Sequence, residues 1–157
     1  MKTAFESPET RKVTEVTLSY KTDVKPRDRE LITSSQDAYN ILYKFWNQNL
    51  IEYVEEFKIL LLNRSNRVLG IASLSKGTTS ASIVDIKHIL QYAIKTNASG
   101  FIIAHNHPSG NSDPSDSDIT ITRKVKEAAK LMDIALLDYI IILPAEGYYS
   151  FADDGRI

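Results

Sequence analysis

His105 and His107 stand two residues apart, where the apolar run Phe101, Ile102, Ile103 and Ala104 gives way to a loop of Ser, Asp, Gly and Pro. Side chains two apart on a strand project to one side, so both imidazoles can face one point. Pro108 stops further sheet pairing and turns the chain. Neutral imidazoles suit zinc, which takes nitrogen and carboxylate ligands in a tetrahedral set and keeps one position open when it is catalytic. Asp118 is the expected third ligand. It lies in the first turn of the next helix and shares a face with Ile121 and Val125 at spacings of three and four. That apolar stripe runs on through Ala128, Ala129 and Met132, an argument that Asp113 and Asp116 lack. Ser115, at the helix start, can bring its hydroxyl close to a metal-bound water or an oxyanion. A catalytic zinc also needs a base for its water. Glu55 is the candidate, because it is in register with Phe57, Ile59 and Leu61. Glu56 and Lys58 alternate to the other side, where Glu56 faces water.

Each of these residues also has a plainer reading. A lone histidine is more often structural than a ligand, and it is the paired spacing that makes these two a hypothesis. Ser115-Asp116-Ser117-Asp118 is also a capping box, contributing roughly 1 kcal/mol. An Asp118 turned back to the Ser115 amide could not fully reach a metal. On spacing alone, Glu55 reads more readily as a solvated strand-end acid. His88, among Lys87, Gln91 and Lys95, reads as exposed. Arg123, Lys124, Lys126 and Lys130 make a basic cluster in which Arg123 and Glu127 are spaced for an ion pair. A solvated face is the default reading there, and phosphate contact is the second. Asp138, an acid in an apolar run, either bonds a loop or orients a ligand from behind.

The elements that must position these groups follow from periodicity. Val16, Leu18 and Tyr20 alternate with polar residues and predict a strand. Residues 26–30 form a charged connector after Lys25-Pro26. A helix is expected over 35–48, then a strand over 55–62, a turn over 63–66 and a hairpin partner over 67–75. Ser82 or Asp85 opens a second helix, with Ile86, Ile89, Leu90, Ala93 and Ile94 on its apolar side. The run 101–104 is a strand covered on both faces. A third helix follows over 116–132, a buried strand over 134–143 and a short strand over 148–151. Alternating strands and helices make an α/β or α+β arrangement around one sheet, with an α/β single domain the expected class. The hairpin makes its central sheet mixed, flanked by helices. Residues 1–34 are an N-terminal extension with one strand, and its polar opening, 1–11, is loose.

The 157 residues fit one domain, and 43% hydrophobic with 25% charged residues describes a folded globular chain. Nineteen basic against twenty acidic residues leave a net charge of −1, which argues against a mainly electrostatic nucleic-acid binder. The chain has no cysteine, so disulfides, thiol catalysis and Cys-ligated metal are excluded. No apolar run spans a bilayer, and the opening residues do not read as a signal peptide. A reduced, cytoplasmic compartment is the default.

His105-Asn106-His107-Pro108, followed by Ser115 and Asp118, resembles the H-x-H-P…S-x-x-D signature of the JAMM (MPN+/JAB) metalloprotease superfamily. With Ser109-Gly110 and Pro114-Ser115, the string is similar to its RadC-like branch. Glu55-Glu56-Phe57 with 60–63, Ser75-Lys76-Gly77-Thr78, Leu137-Asp138 and Tyr149-Ser150-Phe151 extend the resemblance over residues 35–157. It implies a JAB/MPN-like architecture, akin to cytidine deaminases, with His105, His107 and Asp118 as zinc ligands. It implies Glu55 as acid/base and Ser115 as the supporting hydroxyl. The implied activity is zinc-dependent hydrolysis of a peptide or isopeptide bond in a peptide or protein substrate. The alternative is a DNA-repair accessory with non-catalytic zinc, binding DNA or a repair partner, and a metal-dependent nuclease is a third. Two positions depart from the branch. Tyr139 stands where its members commonly carry His, and Asp85-Ile86-Lys87 replaces a usual Pro-Arg pair. Longer members begin with a helix-hairpin-helix module, and no such pattern is visible in residues 1–34.

Overall fold

The computed structural model describes residues 12–77 and 84–157. The opening 1–11, Thr78 of the small-residue turn and Ser82 lie outside the described residues. A five-stranded sheet carries the domain in the order β2-β1-β3-β4-β5, with β1 (Glu56–Leu62), β2 (Val68–Lys76), β3 (Gly100–Asn106), β4 (Ala135–Ile142) and β5 (Tyr148–Ser150). The β3–β4 pair is parallel and the others are antiparallel, so the sheet is mixed as expected.

Every residue of β1 and β3 is buried. Their side chains divide strictly by alternation. Phe57, Ile59, Leu61, Phe101 and Ile103 pack with Ile89 and Ala93 of α2 (Ile86–Lys95) and with Val125 and Ala129 of α3 (Asp116–Leu131). Leu60, Leu62, Ile102 and Ala104 pack with Ala38, Tyr39 and Leu42 of α1 (Ser35–Lys44). Full burial of each such side chain contributes about 1.5–3 kcal/mol. Gly100 opens β3 where a Cβ would come within 2.9 Å of the Leu137 side chain and 3.2 Å of the Ala135 carbonyl. A side chain there would require the Leu137 side chain to shift and would crowd the β4 backbone, so glycine suits this approach of β3 to β4.

Local signals set the helix starts. Ser34 and Asp37 form a capping box on α1, and Asp85 accepts from the Lys87 amide at α2. The stop of α1 differs from the expected 35–48. Phe45 and Trp46 close it with amide bonds to the Leu42 and Tyr43 carbonyls. Trp46 is buried from a position beyond the helix, so its apolar spacing carried the expectation too far.

Two further expectations are corrected. No strand forms at Val16, Leu18 and Tyr20. Val16 and Leu18 are about four-fifths exposed, at 82% and 79%. Alternation makes a strand only where backbone bonds to a neighbouring strand form, and this segment meets β2 through a side-chain bond, from the Tyr20 hydroxyl to the Leu69 carbonyl. Glu56 does not face water. β1 is an interior strand, and on that side its side chains share a cluster with α1, Trp46 and Ile51. Glu56 is buried against Lys58 (3.0 Å) and Lys76 (3.2 Å), and Lys58 also donates to Ser73 and lies over the Trp46 ring.

Candidate metal centre

Strand pairing brings the first groups together. Phe57 sits opposite His105 across the β1–β3 ladder, and the two rings stack at 5.7 Å. Glu55, two residues before Phe57, thereby reaches the end of β3 on the same face. His105 Nε2 lies 3.4 Å from Glu55 Oε1. His107, one residue past β3, holds its backbone to the sheet through an amide bond to the Ile142 carbonyl. The two imidazoles meet edge to face at 4.5 Å. Packing of α3 on the same sheet face delivers Asp118, whose Oδ1 is 3.5 Å from His105 Nε2 and whose Oδ2 is 3.5 Å from His107 Nε2.

The capping box also forms. Asp118 Oδ2 accepts from the Ser115 amide (2.8 Å), and Ser115 Oγ accepts from the Asp118 amide (3.1 Å). Capping and facing the histidines are compatible here because the carboxylate has two oxygens. The cap nevertheless turns Asp118 so that it meets each imidazole with a different oxygen. One ligand atom each from Glu55, His105 and His107 lies within 4.8 Å of the others, a set that has Glu55 beside the histidines. Ser115 stands at the cleft wall with its hydroxyl oxygen committed to the cap.

The imidazoles are held from behind. His107 Nδ1 lies 2.7 Å from the Asn111 carbonyl, which can only accept. His107 therefore carries a proton on Nδ1 and turns Nε2 to the site. His105 Nδ1 lies 2.7 Å from the Tyr139 hydroxyl, which donates to Asp118 Oδ1 at 3.3 Å. A hydroxyl proton donated to Asp118 leaves the Tyr139 oxygen to accept from His105 Nδ1, again baring Nε2. His105 Nε2 is buried and has no hydrogen-bond partner. Such an orphan is costly unless something binds it.

Electrostatics agree with this arrangement. Burial pushes the His105 imidazole down to about 4, against the pull of Asp118, so it is neutral near pH 7. Burial also disfavours charged His107, but the Asp118 carboxylate and the Asn111 carbonyl outweigh it and raise its pKa. Burial opposes ionised Asp118. The hydrogen bond with His107, the positive charge that His105 carries at the low pH where Asp118 titrates, and the Ser115 cap prevail and hold that carboxyl well below its ordinary range. Tyr139 is pushed well above its ordinary value by burial and then by Asp118, so it keeps its proton.

A cleft of about 470 Å3 lies over these groups, walled by Glu55, Asp118 and residues of the 107–115 loop. The site fits a divalent cation: an orphaned buried nitrogen, a second imidazole and two carboxylates converge, and the donors suit zinc. Sequence reasoning noted Tyr139 only as a departure and missed it as a support. The signal was available, since Tyr139 alternates onto the face of Ile141, which pairs with His105. Asp138 resolves to its first alternative. It accepts from the Ser150 hydroxyl and from the Tyr139 and Ala152 amides, tying β4 to the segment after β5. Arg123 and Glu127 are both exposed and form no ion pair with each other. No helix among the described residues is long and apolar enough to cross a membrane.

Known proteins resemble this chain over most of its length. A UPF0758 protein of Flavobacterium johnsoniae is 43% identical over 126 residues, covering 79% of this chain and 52% of the relative. One of Porphyromonas gingivalis is 41% identical over 129 residues, covering 82% and 56%. One of Thermotoga maritima is 33% identical over 131 residues, covering 83% and 59%. The chain thus spans between half and three-fifths of these curated relatives. The RadC-like JAB domain matches residues 32–156, which takes in all five strands, the three helices and every group of the centre. On that match the chain belongs to the RadC-like JAB domain family.

Proposed function

We propose that His105, His107 and Asp118 hold zinc and that the domain is a zinc-dependent hydrolase of a peptide or isopeptide bond. The observation that carries this reading is the buried Nε2 of His105, which has no hydrogen-bond partner and is aimed where His107, Asp118 and Glu55 converge. Zinc, when bound, supplies Lewis acidity and lowers the pKa of water toward about 7. Glu55, at the cleft and beside His105, takes the proton released by the attacking water and returns it to the leaving amine. Ser115, on the cleft wall, donates its hydroxyl proton to the developing oxyanion. Tyr139 and Asn111 keep each imidazole turned with Nε2 inward. Glu55 is assigned to proton transfer and Asp118 to the metal because Asp118 is buried, capped and held ionised.

The test is elemental analysis of the purified chain together with turnover of a quenched-fluorescent peptide library. One zinc per chain is expected, with cleavage that a chelator abolishes and zinc restores. Glu55→Gln should keep the metal and lose cleavage, and equal turnover in that variant sinks the assignment.

A second reading is favoured by the exposed cations of α3, Arg123, Lys124, Lys126 and Lys130. On this reading the zinc is structural and the domain is an accessory that binds DNA or a repair partner. A gel shift with plain duplex DNA should then weaken with salt and with Arg123→Ala plus Lys124→Ala. No shift at low salt rules out the DNA-binding form.

A further inference from the structure

The residue between the two histidines faces the opposite way, toward the segment 51–56 that leads into β1. Asn106 is fully buried at the end of β3, beside Glu56 across the ladder. Its side-chain oxygen accepts from the Glu56 amide at 2.7 Å. Its side-chain nitrogen donates to the carbonyls of Ile51 (2.8 Å) and Val54 (2.9 Å). Both amide protons and the carbonyl oxygen are therefore used, and no flipped orientation would satisfy the same three partners. The partners bracket Glu55 on its two sides in the chain. On the third side, the Glu55 carbonyl accepts from the Gly77 amide at 2.9 Å. Glu55 itself lies outside the regular strand, after a turn over 51–53. A carboxylate at such a junction would ordinarily be loosely placed, because no strand ladder fixes the backbone before it.

We propose that Asn106 is a positioning residue for Glu55: by clamping the backbone at 51, 54 and 56 it holds that carboxylate against the imidazoles that its own two neighbours supply. One tripeptide, His105-Asn106-His107, thus sets both halves of the site. Alternation sends the histidines to one face and Asn106 to the other. Any shift of β3 then moves the metal ligands and the acid/base together. The inference rests on the acid/base role given to Glu55 above, but the clamp is measurable without activity.

The experiment uses the full chain carrying 13C-glutamate and 15N-histidine, with cobalt(II) in place of zinc as a paramagnetic ruler. In the parent protein the Glu55 carboxyl should show a strong paramagnetic shift. Asn106→Ala should lose most of that shift while the His105 and His107 resonances and the cobalt affinity persist. Asn106→Asp keeps the acceptor for the Glu56 amide and loses both donors. It should show the same loss for Glu55 with the Glu56 amide still protected, and it serves where the alanine variant does not fold. Amide hydrogen exchange in the metal-free parent needs no variant: Glu56 should exchange as slowly as the interior of β1, and about tenfold or more faster in Asn106→Ala. An unchanged Glu55 shift in both variants, or fast Glu56 exchange in the parent, overturns the clamp. Failure of the parent to bind cobalt would overturn the metal reading instead, and the exchange result would then decide the clamp by itself. Where turnover is measurable, Asn106→Ala should lower kcat with KM little changed and add nothing to Glu55→Gln.

Discussion

Glu55 and Glu56 are neighbours in the chain and opposites in circumstance. Glu56 lies on the α1 face, where two lysines take its oxygens, Lys58 has Ser73 and the Trp46 ring, and Asn106 is fully bonded. Glu55 lies on the α3 face beside His105, whose Nε2 has no hydrogen-bond partner although it is buried. The same two strands build both clusters. The difference is in what is left open. The pairings of Glu56 are closed, and the orphan beside them, the Trp46 indole N–H, is a donor that cannot ligate, whereas the unbonded His105 nitrogen faces carboxylates and can take a cation.

That contrast can be broken by substitution. The largest effect is expected at the open face: Asp118→Ala should lower zinc affinity by about two orders of magnitude or more, while Glu55→Gln leaves it nearly unchanged, in a chelator competition titration. The reverse order would move Glu55 into the ligand set and Asp118 into the cap. At the closed face, Glu56→Ala leaves a buried lysine uncompensated and should cost about 3 kcal/mol in urea denaturation. Zinc affinity should not change, and the same denaturation of Glu55→Gln should stay within about 0.5 kcal/mol of the parent. Tyr139→Phe removes one hydroxyl behind His105 and should weaken zinc by about tenfold while the metal-free fold persists.

The smallest effects are in pH dependence, and the two faces differ in what they report. Burial raises the Glu56 pKa, but Lys58 and Lys76 outweigh it, so its folded value lies below the ordinary one. Its contribution to stability is then complete above the ordinary glutamate range and lost as pH falls through the folded value. Glu56→Gln should flatten that acid limb of the stability curve. His107 has a raised pKa in the metal-free chain, so at any given pH more of it is protonated than of a free imidazole, and that fraction must shed a proton to ligate. Zinc affinity should fall as pH drops, and calorimetry in buffers of different ionisation enthalpy should detect proton release on binding.

The parts of this molecule readable from sequence are those in which neighbours in the chain decide the outcome. The wholly apolar runs marked β1, β3 and β4, and the Ser115–Asp118 box marked the start of α3. Val16, Leu18 and Tyr20 carry a good strand pattern and form none, because alternation by itself does not supply backbone bonds to a neighbouring strand, and beside the edge strand β2 this segment offers the Tyr20 side chain instead. Glu56 was placed toward water by a correct alternation, since nothing local says that this face is buried too. Trp46 has helical spacing and reaches the core from just past the helix. Tyr139 and Asn106 support the centre from elements whose proximity only the assembled sheet creates.

By itself the chain order determined that two imidazoles share one side of a strand end and that a carboxylate opens the following helix. Both facts are consequences of backbone dihedral repeats over a few residues. Only the tertiary structure decided that Glu55, fifty residues upstream, meets them, and that Asp118 serves the cap and the histidines at once. It also decided that Tyr139 and Asn111 turn both Nε2 atoms inward. These outcomes depend on the β1–β3 register and on the seating of α3 against the sheet, and both are set by the packing of side chains far apart in the chain.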